Sequence, residues 1–180
     1  MNKIIIVAIF FSLFISCSSS NQMSGPKANY IVIADDKEKV LKGYINKSVL
    51  DSDPTFKWFR ENMKYGIADS LAVDVFRRHA NDFKLIVFGG TWCEDTQAML
   101  PLLYRLVEKS GYPESNITLV AVDRTKIGPD DLHKVYNVTN VPTFIVLIKG
   151  KEIGRVVEFG KYAQIDKELG EIVNNGFAHH

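Results

Sequence analysis

Apolar residues recur along this chain at two different periods, and the switches between them lay out its elements. Short continuous runs read as buried strands: Tyr30-Ile31-Val32-Ile33, Val40 to Ile45, Leu85-Ile86-Val87-Phe88, Ile117 to Val122 and Thr143 to Ile148. Lys149-Gly150-Lys151 makes a tight turn, and Glu152 to Phe159 answers the last of these strands as a hairpin partner. Elsewhere the spacing is helical. Phe56, Phe59 and Met63 follow Pro54, which suits a first helical turn, and the pattern runs to Tyr65-Gly66. Asp69-Ser70 caps a helix with Leu71, Val75, Phe76 and His79 on one face, His79 standing at its end. Met99, Leu102, Leu103, Leu106 and Val107 form the core stripe of a longer helix ending near Ser110. Pro129-Asp130-Asp131 opens a short helix to about Tyr136, and a last helix covers about Ala163 to Asn174. From Leu85 onward the order is strand, helix, strand, helix, two antiparallel strands and a helix. That alternation demands an α/β layered sheet with helices on its faces.

The beginning of the chain follows neither period. Lys3 precedes an apolar run from Ile4 to Ile15, too short to span a bilayer comfortably but suited to a signal-peptide core. The run ends in Ser16-Cys17, and Ser18-Ser19-Ser20-Asn21 follows. A small residue directly before such a cysteine resembles the lipobox of bacterial lipoproteins. In that family the cysteine becomes the lipid-modified first residue of the mature protein. Phe14 stands where an aliphatic residue is usual, and a secretory signal cleaved elsewhere is the other reading. The resemblance implies a signal peptide over 1–16, a lipid anchor on Cys17 and a place in the bacterial cell envelope, facing the periplasm or the outside. Residues 17–28 then read as a polar tether, 29–66 as an N-terminal extension and 67–176 as the main domain.

Composition narrows the functions available. A hydrophobic fraction of 46% against 24% charged residues is that of an ordinary soluble globular domain. The net charge of +1 supplies no field to recruit nucleic acid or an anionic membrane. Loss of the first sixteen residues takes Lys3 with it and leaves 21 basic against 21 acidic side chains. Lipid chains rather than charge would then hold the protein at a membrane. Two cysteines, at 17 and 93, build neither a zinc pattern nor a disulfide framework, and His79, His133, His179 and His180 show no ligand spacing with them. No metal and no cofactor is expected.

The chemistry-bearing stretch is Thr91-Trp92-Cys93-Glu94-Asp95-Thr96. It follows the run Leu85 to Phe88 through Gly89-Gly90 and opens the long helix, so Cys93 falls at or near a helix N-terminus. Backbone N–H groups and the helix dipole there favour a thiolate, the form that attacks disulfides. Glu94 and Asp95 oppose this with negative charge beside the sulfur. A buried cysteine acting as a small hydrophobe is the alternative. The turn glycines and the polar residues after Cys93 point to the reactive reading.

Several separated motifs from about Asp69 to Asn174 resemble the thioredoxin superfamily. Trp92-Cys93 stands where that family has its Trp-Cys pair, and Pro101, eight residues on, matches its helix-kinking proline. Tyr136-Asn137-Val138 and Val141-Pro142-Thr143 match the segment that carries its cis-proline, while Gly150 and Gly160 fall at its hairpin turn and post-strand positions. The resemblance implies a thioredoxin-like three-layer sandwich, a central mixed sheet with helices on both faces. It also implies a substrate groove formed by Trp92, Val141 and Pro142 beside Cys93. On local grounds alone Pro142 is an ordinary trans strand start and Trp92 a core residue.

The departures from the family bear on mechanism. Its dithiol members carry Cys-x-x-Cys, whereas here the second position is Thr96, and the buried acid of the preceding strand corresponds to Val87. Thr96 is positioned to donate its hydroxyl proton to the Cys93 sulfur across one turn. The site Cys93 and Thr96 would thus serve a membrane-anchored oxidoreductase or thioltransferase acting on protein or small-thiol disulfides through a single cysteine. A binding module holding a peptide in the same groove without redox turnover is the alternative. A glutaredoxin-like cluster carrier is disfavoured, because the Cys-Gly-Phe-Ser pattern is absent.

Overall fold

The computed structural model describes residues 27–35 and 38–178. Cys17, the apolar leader and the terminal His179-His180 lie outside them. Among the described residues the strands are β1 (Asn29–Ile33), β2 (Val40–Ile45), β3 (Phe83–Gly89), β4 (Ile117–Ala121), β5 (Thr143–Ile148) and β6 (Lys151–Val157). The helices are α1 (Lys47–Ser52), α2 (Lys57–Asn62), α3 (Ser70–Arg78), α4 (Glu94–Ser110), α5 (Leu132–Val135) and α6 (Ile165–Ala178). The strands form one mixed sheet in the order β1-β2-β4-β3-β5-β6. Only β3 and β4 pair in parallel, Val87 opposite Leu119 and Gly89 opposite Ala121.

The continuous apolar runs are explained by burial on both faces of this sheet. Leu85 and Val87 of β3, Leu119 of β4, and Phe144 and Val146 of β5 face the larger core, covered by α1, α2, α3, α4 and α6. The alternating residues, Phe88, Val120, Ile145 and Leu147, face a smaller cluster closed by Val138, Leu132, Tyr136 and Trp92. Helices on two faces of a central mixed sheet make the expected three layers.

The segment read as an N-terminal extension is built into the same sheet and core. Strand β2 pairs antiparallel with β4, Gly43 opposite Ala121 and Ile45 opposite Leu119. Leu41, Leu50, Phe56 and Phe59 are buried with the residues of the main domain. The helical stretch begins earlier than Pro54, because Asn46 accepts a hydrogen bond from the Val49 N–H and so starts α1. Asn62 and Arg105 then lock α2 onto α4. The Asn62 amide donates to the Gln97 carbonyl at 3.0 Å, and Arg105 donates to the Asn62 and Met63 carbonyls.

Three expectations require correction. Leu71 is 75% exposed, and the buried face of α3 is Ala72, Val75 and Phe76. The cause is the close crossing with α6, where a Cβ on Gly170 would sit 2.7 Å from the Ala72 Cα, so Ala72 marks the contact line. Leu102 is only half-buried at the margin of the core stripe, whereas Met99, Leu103, Leu106 and Val107 are buried. Hairpin strand β6 also ends before Phe159, at the left-handed turn residue Glu158 (φ 55°).

Candidate active site

Strand β3 delivers the site. It ends at Gly89 at the edge of the core, and Gly90-Thr91-Trp92 turn the chain into α4. Cys93 is the N-cap of that helix, in extended conformation (φ −91°, ψ 120°), with a side chain that makes no capping bond. Its backbone is held on both sides: the N–H donates to the Gly90 carbonyl at 3.0 Å, and its carbonyl accepts from the Gln97 N–H at 3.0 Å. Glycine is required at 90, where a Cβ would lie 2.6 Å from Trp92 Cε2. The half-buried thiol is a free cysteine and donates from Sγ to the Val141 carbonyl at 3.3 Å. The Val141-Pro142 bond is cis. Cys93, Trp92, Val141 and Pro142, separated by up to fifty residues of chain, thus meet at one point.

Thr96 lies one turn below Cys93, but its hydroxyl has a different partner from the one expected. Its Oγ1 accepts from the Gly90 N–H at 3.2 Å, and the residue is 2% exposed. No hydrogen bond among the described residues joins it to the sulfur. The tertiary position of the turn decides this, since Gly90 folds back over the helix start and captures the oxygen. Val87 is fully buried where the family carries an acid. Glu94 and Asp95 occupy the first turn of α4.

Trp92 is more than a wall of the core. Its Nε1–H donates to the Val122 carbonyl at 3.0 Å, and the Arg124 guanidinium lies over its ring, 5.4 Å from the centroid. Arg124 in turn donates from Nε to Asp35 at 2.6 Å and from Nη2 to Glu38 at 2.9 Å. Hydrogen bonding to Asp35 raises the guanidinium pKa further, so Arg124 is a permanent cation. Asp123, next to it in the chain, is tied to Lys42 of β2 at 2.7 Å. Burial alone would raise the Asp123 pKa, but bonds from Lys42, Thr125 and the Ile127 N–H outweigh it and hold it at about 2.

Thr91 opens the chemistry-bearing stretch, but its partners are not foreseen from the sequence. Its buried hydroxyl donates to the Lys39 carbonyl at 2.9 Å and accepts from the Leu41 N–H at 3.1 Å, fastening the site turn to the β1–β2 hairpin. Nothing local marks it, because its partners lie fifty residues upstream. Among the described residues no group of His, Cys, Asp and Glu is arranged to hold a metal ion, and no helix is long and apolar enough to cross a membrane.

The sequence matches the thioredoxin family over residues 69–171, more than half of the chain. The chain belongs to the thioredoxin family. Among similar proteins, thioredoxin H2 of Arabidopsis thaliana is 24% identical over 95 residues, covering 53% of this chain and 66% of that protein. The mitochondrial thioredoxin-3 of Saccharomyces cerevisiae is 32% identical over 77 residues, 43% of this chain and 56% of that protein. The chain therefore spans between half and two thirds of the curated relatives it matches. Among solved structures, an HIV epitope scaffold shares the fold at a TM-score of 0.50 and 19% identity, over 75% of this chain and 91% of that one. Residues 29–66, with Asp35, Glu38 and the partners of Thr91, lie outside the stretch matched to the thioredoxin family.

Proposed function

We propose that this thioredoxin-family protein exchanges disulfides through the single thiol of Cys93, on protein or small-thiol substrates, while anchored in a bacterial cell envelope by lipid on Cys17. The observation that carries the exchange reading is the position of Cys93. A half-buried free thiol caps a seventeen-residue helix and touches the backbone of Val141 beside Pro142. The thiolate attacks one sulfur of a disulfide, a new S–S bond forms as the old one breaks, and the departing thiolate takes up a proton. No electrons are lost from the pair. The Thr96 hydroxyl cannot repeat the attack, so an external thiol must release the product.

The groove reading without turnover is favoured by one specific feature. The Val141 carbonyl accepts the S–H of Cys93, a contact that serves the protonated thiol, and among the described residues no hydroxyl donates to the sulfur. The decisive comparison is the rate at which Cys93 reacts with iodoacetamide across a pH series, measured against a free cysteine derivative. Exchange predicts a faster reaction at neutral pH, abolished in Cys93→Ser, and a stable glutathione adduct at Cys93 without catalytic reduction of insulin. A rate no greater than that of the free thiol supports the binding module.

The anchor is tested separately. In a bacterial host the full chain is expected to incorporate labelled fatty acid and partition into detergent, and Cys17→Ala to lose the label. Unchanged labelling of that variant overturns the lipobox reading.

A further inference from the structure

The wall of the groove is gripped from outside the thioredoxin match. Trp92 is fixed by its bond to Val122 and by the turn at Gly90, and its ring also carries the Arg124 guanidinium. Arg124 does not reach that position by its own element alone. Asp35 and Glu38, which lie in the β1–β2 connection, hold its Nε and Nη2 at 2.6 and 2.9 Å. The same hairpin bonds Thr91 on one side of Trp92 and, through Lys42, Asp123 on the other side of the site. All of these hairpin residues precede the stretch matched to the family.

We propose that Arg124 is a positioning residue for disulfide exchange: Asp35 and Glu38 hold its guanidinium over Trp92, and the hairpin thereby fixes the groove wall that orients a disulfide toward Cys93. This rests on the exchange reading of Cys93. A planar guanidinium suits the task, because it stacks on the indole face while its edge N–H groups meet two carboxylates. Each exposed ion pair alone contributes little. Here one side chain, already ordered by the ring, serves both acids, so the second bond costs little further freedom. A cation over an aromatic ring at an exposed site is worth enough to change a rate about two- to fivefold.

The experiment uses the full chain in a Cys17→Ala, Trp58→Phe background, so that the reacting thiol is Cys93 and the fluorescence comes from Trp92. Two quantities are read: acrylamide quenching of Trp92, and the rate of reaction with the neutral 2,2′-dithiodipyridine. In that reaction the Cys93 sulfur bonds to one pyridyl sulfur, the probe's S–S bond breaks, and the other half leaves as pyridinethione with the proton. A neutral probe separates positioning from charge attraction. Arg124→Gln and Glu38→Gln are expected to increase quenching and slow the reaction about two- to fivefold. The double variant should be no slower than Arg124→Gln, because both act through one chain of contacts. Arg124→Lys, which keeps the charge but loses the fork, should fail to rescue either quantity. Added salt should loosen Trp92 in wild type and leave Arg124→Gln unchanged. Quenching and rate equal to wild type in Arg124→Gln overturn the proposal. A wild type inert to the probe overturns the exchange reading and the positioning role with it, and that case is told apart because quenching reports the clamp without any reaction.

Discussion

Thr96 shows what a single residue decides here. In the matched family the corresponding position holds the thiol that resolves the mixed disulfide, and this chain places there a buried hydroxyl that serves the Gly90 N–H. Thr96→Cys should therefore put a second sulfur one helical turn from Cys93, with Trp92 and Pro142 already in place. Mild oxidation should give an internal disulfide, read by mass, and modest turnover with a suitable reductant. The gain should be partial, since Val87 offers no acid to move the second thiol's proton and Glu94-Asp95 stay beside the sulfur. A stability loss of about 1 kcal/mol is expected because the Gly90 N–H loses its acceptor. Two thiols that do not bridge would show that the positions are not set for dithiol chemistry.

At the scale of elements, β2 and the end of β4 are joined by charge as well as by backbone pairing. Lys42 and Asp123 are each less than a third exposed and lie 2.7 Å apart. The Asp123 pKa is lowered from 3.8 to about 2 in the folded protein. Its stabilisation is thus complete above the unfolded value and is lost as the pH falls from about 4 towards 2. Asp123→Asn should cost about 2 kcal/mol at neutral pH and flatten the acid limb of a urea-melt series, the difference from wild type vanishing near pH 2. Asp53, held at about 2 by its bond from Lys39, keeps a residual acid dependence in the variant. A difference that persists unchanged at low pH would show that the carboxylate charge is not what joins the two elements.

For the whole molecule, the question is whether residues 29–66 are an appendage or part of the domain. Leu41, Ile45, Leu50, Phe56 and Phe59 are buried with the main core, and β2 covers the edge of β4. Exposing five such side chains forfeits roughly 10 kcal/mol, comparable to the whole stability of a domain. A chain beginning at Ala68 should lose its cooperative unfolding transition and its near-ultraviolet circular dichroism, although it keeps the whole family match. A chain covering 27–178 should keep both. Retention of a sharp transition by the shorter chain would make the extension dispensable.

The strand runs, the long helix with Cys93 at its start and the layered α/β order can be read along the chain, because burial on two sheet faces and helical spacing leave marks within a few residues. The Trp-Cys pair, Pro101 and Val141-Pro142 were legible for the same reason, as local motifs at set intervals. The folded arrangement was needed to settle that the N-terminal segment completes the sheet, that Thr96 faces Gly90 instead of the sulfur, and that Leu71 points outward while Ala72 meets Gly170. It alone brought Asp35 and Glu38 to Arg124, across 89 and 86 residues of chain. Such contacts depend on which strand lies beside which, and strand neighbours far apart in sequence leave no periodic trace in either one.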